Sequence, residues 1–148
     1  MPIPDFNEHG LLPEGVHDCE LEELRQRFGS FQATDRRVIL FQKLLQLLQD
    51  LQHADLCESV IVDGSFTTDT PLPNDIDLII VYPVGYELSA ELSFFQYNAT
   101  NKSRLRKRYG FDVFSVLQDS PLYFQQVEFF SRVKLDKTIR KGMLRITL

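Results

Sequence analysis

Residues 60–82, VIVDGSFTTDTPLPNDIDLIIVY, are the stretch that decides the fold of this chain. Residues 59–62 are mostly apolar and β-branched, and they lead to Gly64-Ser65, a pattern typical of a strand that ends in a tight turn. Residues 76–82 are more apolar still and predict a second, buried strand. The stretch therefore predicts a strand, a turn, a loop and another strand at the centre of the fold.

Two acids, Asp75 and Asp77, stand one residue apart at the start of this second strand. Residues i and i+2 of a strand point to the same face, so the two carboxylates are expected side by side. Like charges that close repel each other, and a cation bound by both removes that cost. Mg²⁺ is the expected cation because it takes oxygen ligands and keeps positions open for phosphate oxygens. A turn or capping role after Pro73-Asn74 explains one acid well and the second poorly.

The chain resembles the minimal nucleotidyltransferases of the DNA polymerase β superfamily over roughly residues 57–117. The motif that carries the resemblance is Gly64-Ser65, followed after nine residues by Asp75 and Asp77. The resemblance implies that Gly64 and Ser65 bind a nucleoside triphosphate, with ATP the expected one. It also implies that the paired acids bind Mg²⁺ or Mn²⁺ and that a third acid comes from a later strand. Here that acid is Asp112.

The resemblance implies an α/β (α+β) fold, with a nucleotidyltransferase-like mixed β-sheet flanked by helices. The implied activity is metal-dependent transfer of a nucleoside monophosphate from a nucleoside triphosphate to an acceptor, which can be a protein. In such sites two metal ions about 3.5–4 Å apart stabilise the attacking and leaving oxygens. Asp75 and Asp77 would hold both ions. Asp112 would complete the site of the ion that activates the nucleophile, and it would accept the proton.

The loop after Ser65 favours an alternative function. Minimal members often carry an arginine and a second glycine in this loop, but residues 66–74 contain neither a glycine nor a basic residue. Asn74 also stands where many members have a serine. The alternative is a nucleotidyltransferase-fold binding module with weak or no catalysis, such as the antitoxin-like partner of a second protein in a toxin–antitoxin pair. An unrelated α/β protein is the third hypothesis.

The length of 148 residues allows one domain with one core, so residues 1–148 are predicted to form a single nucleotidyltransferase-like domain. Prolines and glycines in residues 1–17 prevent a long element there, and an extended N-terminal segment is predicted. Cys19 and Cys57 are too few for a zinc site or a disulfide framework. The chain has no signal-peptide pattern and no apolar run near the roughly 20 residues that span a bilayer, so we expect a cytoplasmic protein without membrane contact.

The charge of the chain is unevenly distributed. Residues 1–100 hold 5 basic and 17 acidic residues, whereas residues 101–148 hold 11 basic and 4 acidic ones. The net charge of −5 makes nucleic acid a less favoured partner than protein. The asymmetry, and the roughly 30 residues that follow the Asp112 strand, predict a homo-oligomer or a complex with another protein.

Other elements follow from apolar periodicity and capping residues. Helices are predicted from Asp18 to Phe28, from Thr34 or Asp35 to about residue 51, over residues 87–98, and from Ser120-Pro121 to about residue 133. Strands are predicted over residues 111–117 and, as a last edge strand, 143–148. The aromatic side chains of the last helix are expected mainly in the core.

Three groups of residues have two interpretations each. Arg36 and Arg37 are expected as solvated surface charges, although a phosphate ligand would also explain them. Leu40 and Leu47 are either core residues reached from a second side or part of a partner surface. The five basic residues in the run 102–108 form either a solvated helix face or a surface that contacts triphosphate or an anionic partner.

Overall fold

The computed structural model describes residues 2–134, 136 and 138–148. The elements in chain order are β1 (Gly15–Asp18), α1 (Leu21–Phe28), α2 (Arg36–Ala54), β2 (Ser59–Asp63), a 3-10 turn (Ser65–Thr67), β3 (Asp77–Tyr82), α3 (Phe94–Thr100), α4 (Lys102–Tyr109), β4 (Asp112–Leu117), α5 (Pro121–Ser131) and β5 (Gly142–Thr147). No helix among these residues is long and apolar enough to cross a membrane.

The five strands form one mixed sheet in the order β1-β5-β2-β3-β4. Strand β1 runs parallel to β5, and β3 runs parallel to β4. Strand β2 is antiparallel to both of its neighbours, β3 and β5. The predicted α/β (α+β) class, with a mixed sheet flanked by helices, is confirmed.

Helices cover both faces of the sheet, which explains why its central strands are apolar on both sides. Every residue of β2 is buried, and so is every residue of β3 after Asp77. One face packs against α1, α2 and α4, through a large cluster that includes Val60, Val62, Leu78, Ile80 and Val113. The other face packs against α5, through a smaller cluster of Ile61, Ile79, Val81, Val116, Tyr123 and Met143.

The extra apolar positions of the second helix belong to the core. Leu40 is 6% exposed and Leu47 is fully buried. Both side chains join the larger cluster, together with the stripe that the helical periodicity predicts. Of the two interpretations of these residues, the core one is confirmed and the partner surface is wrong.

The predicted helix over residues 87–98 is wrong in its position. Helix α3 begins only at Phe94, where the Ser93 hydroxyl accepts a hydrogen bond from the amide of Gln96. The Gln96 side chain accepts one from the amide of Ser93 in return, which completes a capping box. Leu88, on the apolar side of the predicted helix, is 52% exposed. The local capping signal therefore outweighs the apolar spacing upstream of it.

The C-terminal tail is a strand, but the prediction of an edge strand is wrong. Strand β5 lies between β1 and β2, with Val16 opposite Met143 on one side and Val60 opposite Ile146 on the other. The outer strand beside β5 is β1, which comes from the N-terminal segment that was predicted to be extended. Both edges of β5 are therefore paired, and this strand cannot add to the sheet of a partner.

The start of the first helix and the end of the last helix differ slightly from the sequence prediction. Helix α1 is capped by Glu20, while Asp18 ends β1 and forms an ion pair with Arg145 across the strands. Helix α5 starts as predicted, because the Ser120 hydroxyl accepts a hydrogen bond from Tyr123 N. Its aromatic side chains divide between core and surface. Tyr123 is buried, whereas Phe124 and Phe129 are 57% and 63% exposed.

Candidate functional site

Three carboxylates lie in one row across three adjacent strands. Asp63 of β2 is opposite Asp77 of β3, and Asp77 is opposite Asp112 of β4. Residues opposite each other on adjacent strands are about 5 Å apart and point to the same face of the sheet. Alternation along β2 and β3 places this acid row (Asp63, Asp77 and Asp112) on the face covered by α5.

The turn after β2 packs directly against the segment that carries the paired acids. Gly64 has φ +92°, and a side chain there would lie 3.0 Å from the amide nitrogen of Asp77. The Ser65 hydroxyl donates a hydrogen bond to Asp75 Oδ1 at 3.1 Å and accepts one from the amide of Asn74 at 3.0 Å. Asp75 precedes β3 rather than lying in it. The turn and the acids that the sequence singled out are therefore one structural unit.

The two outer acids of the row, Asp63 and Asp112, are paired with cations. The central acid Asp77 and its neighbour Asp75 differ from them. Arg106 of α4 forms an ion pair with Asp112. Lys141 Nζ lies 3.2 Å from Asp63 Oδ1. Within the described part of the chain, neither Asp75 nor Asp77 forms an ion pair. The uncompensated negative charge of the site is thus concentrated at Asp75 and Asp77.

The electrostatic environment raises the pKa of two of these acids. Burial raises the pKa of Asp77, and the neighbouring charge of Asp75 raises it further, against the opposing charges of Lys141 and Lys134. Burial raises the pKa of Asp63 to about 6, although Lys141 acts in the opposite direction. Removing carboxylates from water and placing them side by side disfavours their charged forms. A cation bound at Asp75 and Asp77 would offset the repulsion between their two carboxylates.

A buried arginine holds the loop that follows the Gly64-Ser65 turn. Arg37 is 2% exposed, so its predicted place on the solvated surface is wrong. Its guanidinium donates to the backbone carbonyls of Phe66 at 2.6 Å and of Thr68 and Thr70 at 2.7 Å each. A fourth, longer bond reaches the carbonyl of Phe28 at 3.4 Å. The planar fork of arginine suits this arrangement, since it carries five donors in a fixed geometry.

The exposed neighbour of this arginine also contacts the loop. Arg36 Nε donates to the Pro73 carbonyl at 2.7 Å. The N-terminal segment closes over the same loop, because the amide of Asp69 donates to the Gly10 carbonyl. Gly10 has φ +72°, and any side chain there would collide with the Asp69 carboxylate. The loop is therefore fixed by backbone contacts on several sides.

The basic run 102–108 forms an exposed helix face beside the acid row. All five of its basic side chains are exposed on α4. Arg106 reaches Asp112, and Arg108 pairs with Asp50 of α2 at 3.5 Å. This helix carries the chain across from β3 to the parallel strand β4. It therefore brings positive charge to the sheet edge at which Asp112 lies.

The chemistry of the donor set fits Mg²⁺ that is shared with a substrate. Over residues 2–134, 136 and 138–148, no three Asp, Glu, His or Cys side chains converge on one point as a complete metal site. Mg²⁺ is usually held by only one or two carboxylates, with water and substrate phosphates as its other ligands. Asp75 and Asp77 offer that number of carboxylates, and neither forms an ion pair with the residues that the structure describes. Asp112 could join them only by sharing its carboxylate with Arg106.

Comparison with known proteins shows the family of the chain. The profile of DUF6932, a family of unknown function, matches residues 4–147. The chain belongs to this family. No curated protein and no solved structure matches it. The matched residues include the acid row, the turn and the buried arginine. The family description assigns no activity to them.

Sequence reasoning missed two members of this candidate site, Asp63 and Lys141. A signal existed for Asp63, which is the only charged residue in the otherwise apolar or small strand Ser59–Asp63 and immediately precedes Gly64. Antiparallel pairing through the turn would have placed it opposite Asp77. No such signal existed for Lys141, because its contact with Asp63 joins two distant parts of the sequence.

The raised pKa of Asp63 predicts a specific pH dependence of stability. Between the ordinary pKa of 3.8 and about 6, the folded state binds more protons at this group than the unfolded state does. The free energy of unfolding should therefore fall as pH rises through this window, by at most about 1.4 kcal/mol per pH unit for one proton. Asp63→Asn should lose this component. Urea unfolding of both proteins at pH 4, 5, 6 and 7, with a metal chelator present, measures it, and parallel stability profiles would contradict the prediction.

Proposed function

We propose that this protein is a metal-dependent nucleotidyltransferase. It would transfer a nucleoside monophosphate from a nucleoside triphosphate, ATP in the first instance, to an acceptor. The observation that carries the proposal is that Asp75 and Asp77, which form no ion pair with the described residues, pack against the Gly64-Ser65 turn. Two partly buried carboxylates that form no ion pair with the described residues, next to a glycine turn, suit the joint binding of Mg²⁺ and phosphate.

Gly64, Ser65 and Asp112 have different roles in the proposed reaction. Gly64 lets the backbone approach the phosphates without a side chain in between. Ser65 fixes the Asp75 carboxylate through its hydroxyl. Asp112 takes up the proton of the attacking hydroxyl, once its carboxylate is shared with or released from Arg106. When bound, Mg²⁺ or Mn²⁺ would supply charge neutralisation at the transferring phosphoryl group.

The activity is tested with nucleoside triphosphates labelled on the α-phosphate, together with Mg²⁺ and an extract of the native cell as the source of acceptor. The proposal predicts a labelled acceptor and release of pyrophosphate, both of which stop when Mg²⁺ is chelated. An absence of labelling combined with an absence of Mg²⁺-dependent binding of any of the four common nucleoside triphosphates would overturn the proposal. The cytoplasm, where these nucleotides and Mg²⁺ are available, is the compartment that we propose.

Replacing the third acid should affect turnover more than binding. Asp112→Asn is expected to lower the transfer rate by about tenfold or more, with ATP affinity changed by less than about threefold. The matched control is Asp119→Asn, because Asp119 is exposed at the opposite end of β4 and its left-handed backbone tolerates asparagine. An unchanged transfer rate for Asp112→Asn would mean that this acid only pairs with Arg106.

A second candidate function is a binding module with weak or no catalysis, as in the antitoxin-like hypothesis. It is favoured by the exposed aromatic side chains, since Phe94 is 80% exposed and Phe129 is 63% exposed. Aromatic residues and arginine are enriched at protein interfaces. The basic run 102–108 and these side chains are therefore the surfaces that we propose for a protein partner or a second copy of the chain. Light scattering over a wide concentration range distinguishes self-association from a strict monomer.

A further inference from the structure

The loop after the Gly64-Ser65 turn supplies no cation of its own for phosphate. Residues 66–74 contain no basic residue. Two arginines from outside the loop contact it: Arg37 donates to four backbone carbonyls, and Arg36 donates through Nε to the Pro73 carbonyl. A triphosphate bound at this turn would thus need a cation from elsewhere in the fold.

Lys141 is placed to supply that cation. Its Nζ lies 3.2 Å from Asp63 Oδ1, in the strand position next to Gly64. Its positive charge also acts on the carboxylate of Asp77, as does that of Lys134. The side chain remains 17% exposed. An ammonium carries three donors, and within the described residues Asp63 is the only side chain that pairs with it.

The backbone around Lys141 is fixed on both sides. The amide of Lys141 donates to the Ser131 carbonyl at 2.8 Å, and the amide of Gly142 donates to the Leu12 carbonyl at 2.9 Å. A side chain at Gly142 would collide with the carbonyl of Pro13. The backbone of Lys141 is therefore fixed just before β5, and its ammonium pairs with Asp63 at the end of the acid row.

Asp63 and Lys141 form an ion pair in a largely buried position. Asp63 is 1% exposed, and both the Lys141 ammonium and the backbone of Gly64 act on its carboxylate. Burying such a pair costs desolvation that its Coulomb attraction often fails to offset. Stability alone thus gives little reason for a buried acid and lysine beside the acid row. A bound anion at the free donors of the ammonium gives a direct reason.

We propose that Lys141, positioned by the buried carboxylate of Asp63, binds the phosphate chain of the nucleoside triphosphate beside Asp77. This inference rests on the proposed function for the identity of the ligand, but its chemistry concerns the polyphosphate alone. Lys141 is then a binding residue, and Asp63 is a positioning residue that acts through it. Lys141, which immediately precedes β5, would replace the arginine that the loop after Ser65 lacks.

The test is calorimetric titration of the full chain with tripolyphosphate, ATP and AMP, first in a metal chelator and then with Mg²⁺. Lys141→Gln is expected to weaken binding of tripolyphosphate and ATP by about tenfold or more, and that of AMP by less than about threefold. Lys141→Arg should restore most of the affinity. Asp63→Asn should weaken tripolyphosphate binding because the lysine loses its anchor. Lys43→Gln is the matched control, since Lys43 is exposed on α2, on the opposite side of the sheet.

The outcomes separate this inference from the proposed function. If Lys141→Gln weakens tripolyphosphate binding while Mg²⁺ adds nothing to ATP affinity, Lys141 binds phosphate and the proposed function is wrong. If ATP binding is Mg²⁺-dependent but equal in the wild type and Lys141→Gln, the inference is overturned and the proposed function stands. A wild type that binds neither ligand overturns both. If Lys141→Gln does not fold, the tripolyphosphate affinities of Asp63→Asn and Lys141→Arg test the inference instead. Equal affinity of Asp63→Asn and the wild type would then overturn it.

Discussion

Replacing Arg37 by methionine is expected to lower the free energy of unfolding by about 3–5 kcal/mol. The arginine is 2% exposed and donates to four backbone carbonyls. Methionine fills much of the same volume but leaves these acceptors without a donor, and each buried unsatisfied group costs about 1–3 kcal/mol. Urea unfolding followed by circular dichroism measures the change.

Two variants control this prediction. Arg36→Met removes the exposed neighbour, which donates to the single carbonyl of Pro73, and should cost about 1 kcal/mol or less. Arg37→Lys keeps the charge but cannot reproduce the planar fork, so it should lose most of the stability that Arg37→Met loses. Equal stability of the wild type and Arg37→Met would show that the loop after Ser65 is held by other contacts.

Asp77→Asn is expected to abolish the Mg²⁺-dependent part of ATP binding and to reduce nucleotidyl transfer by about a thousandfold or more. Asp77 is the central acid of the row, flanked by Asp63 and Asp112 and preceded by Asp75. An amide of the same size carries no charge and binds Mg²⁺ weakly. The folded state should persist, because the substitution removes repulsion from a partly buried position rather than a partner. Calorimetry with and without Mg²⁺, and the labelled-nucleotide assay, measure the two effects.

The control for Asp77→Asn is again Asp119→Asn, at the far end of β4. It should retain the Mg²⁺-dependent affinity and the transfer rate of the wild type. Equal Mg²⁺-dependent ATP affinity in Asp77→Asn and the wild type would contradict the assignment of the paired acids. Circular dichroism of the same samples would show whether a loss of ATP affinity or transfer rate in Asp77→Asn is caused by unfolding.

The central strands and the turn between them could be predicted from the sequence because their signals are local. Apolar β-branched runs predict β2, β3 and β4, and the observed strands start within one residue of the predicted ones. Gly64 at the end of β2 and the acids at the start of β3 are adjacent through a single loop. Their proximity follows from strand pairing alone, without knowledge of the remaining chain.

Features that depend on distant contacts could not be predicted. Arg37 looks like a surface charge in its helix, and only the carbonyls of residues 66–70 explain its burial. Strand β5 looks like an edge strand until β1, from the other end of the chain, pairs with it. The contact between Lys141 and Asp63 has the same origin. In each case the missing information is which segments meet in the fold, which short-range patterns do not contain.

The central claim is that a nucleoside triphosphate and a divalent cation bind together at Asp75 and Asp77. A crystal structure with Mn²⁺ and a non-hydrolysable ATP analogue tests it most directly, because the anomalous signal of Mn²⁺ locates the metal independently of the nucleotide. The account predicts a Mn²⁺ peak in contact with both carboxylates, and the phosphates of the analogue beside the Gly64-Ser65 turn. Nucleotide bound away from the acid row, or Mn²⁺ absent from both carboxylates at saturating concentration, would contradict it.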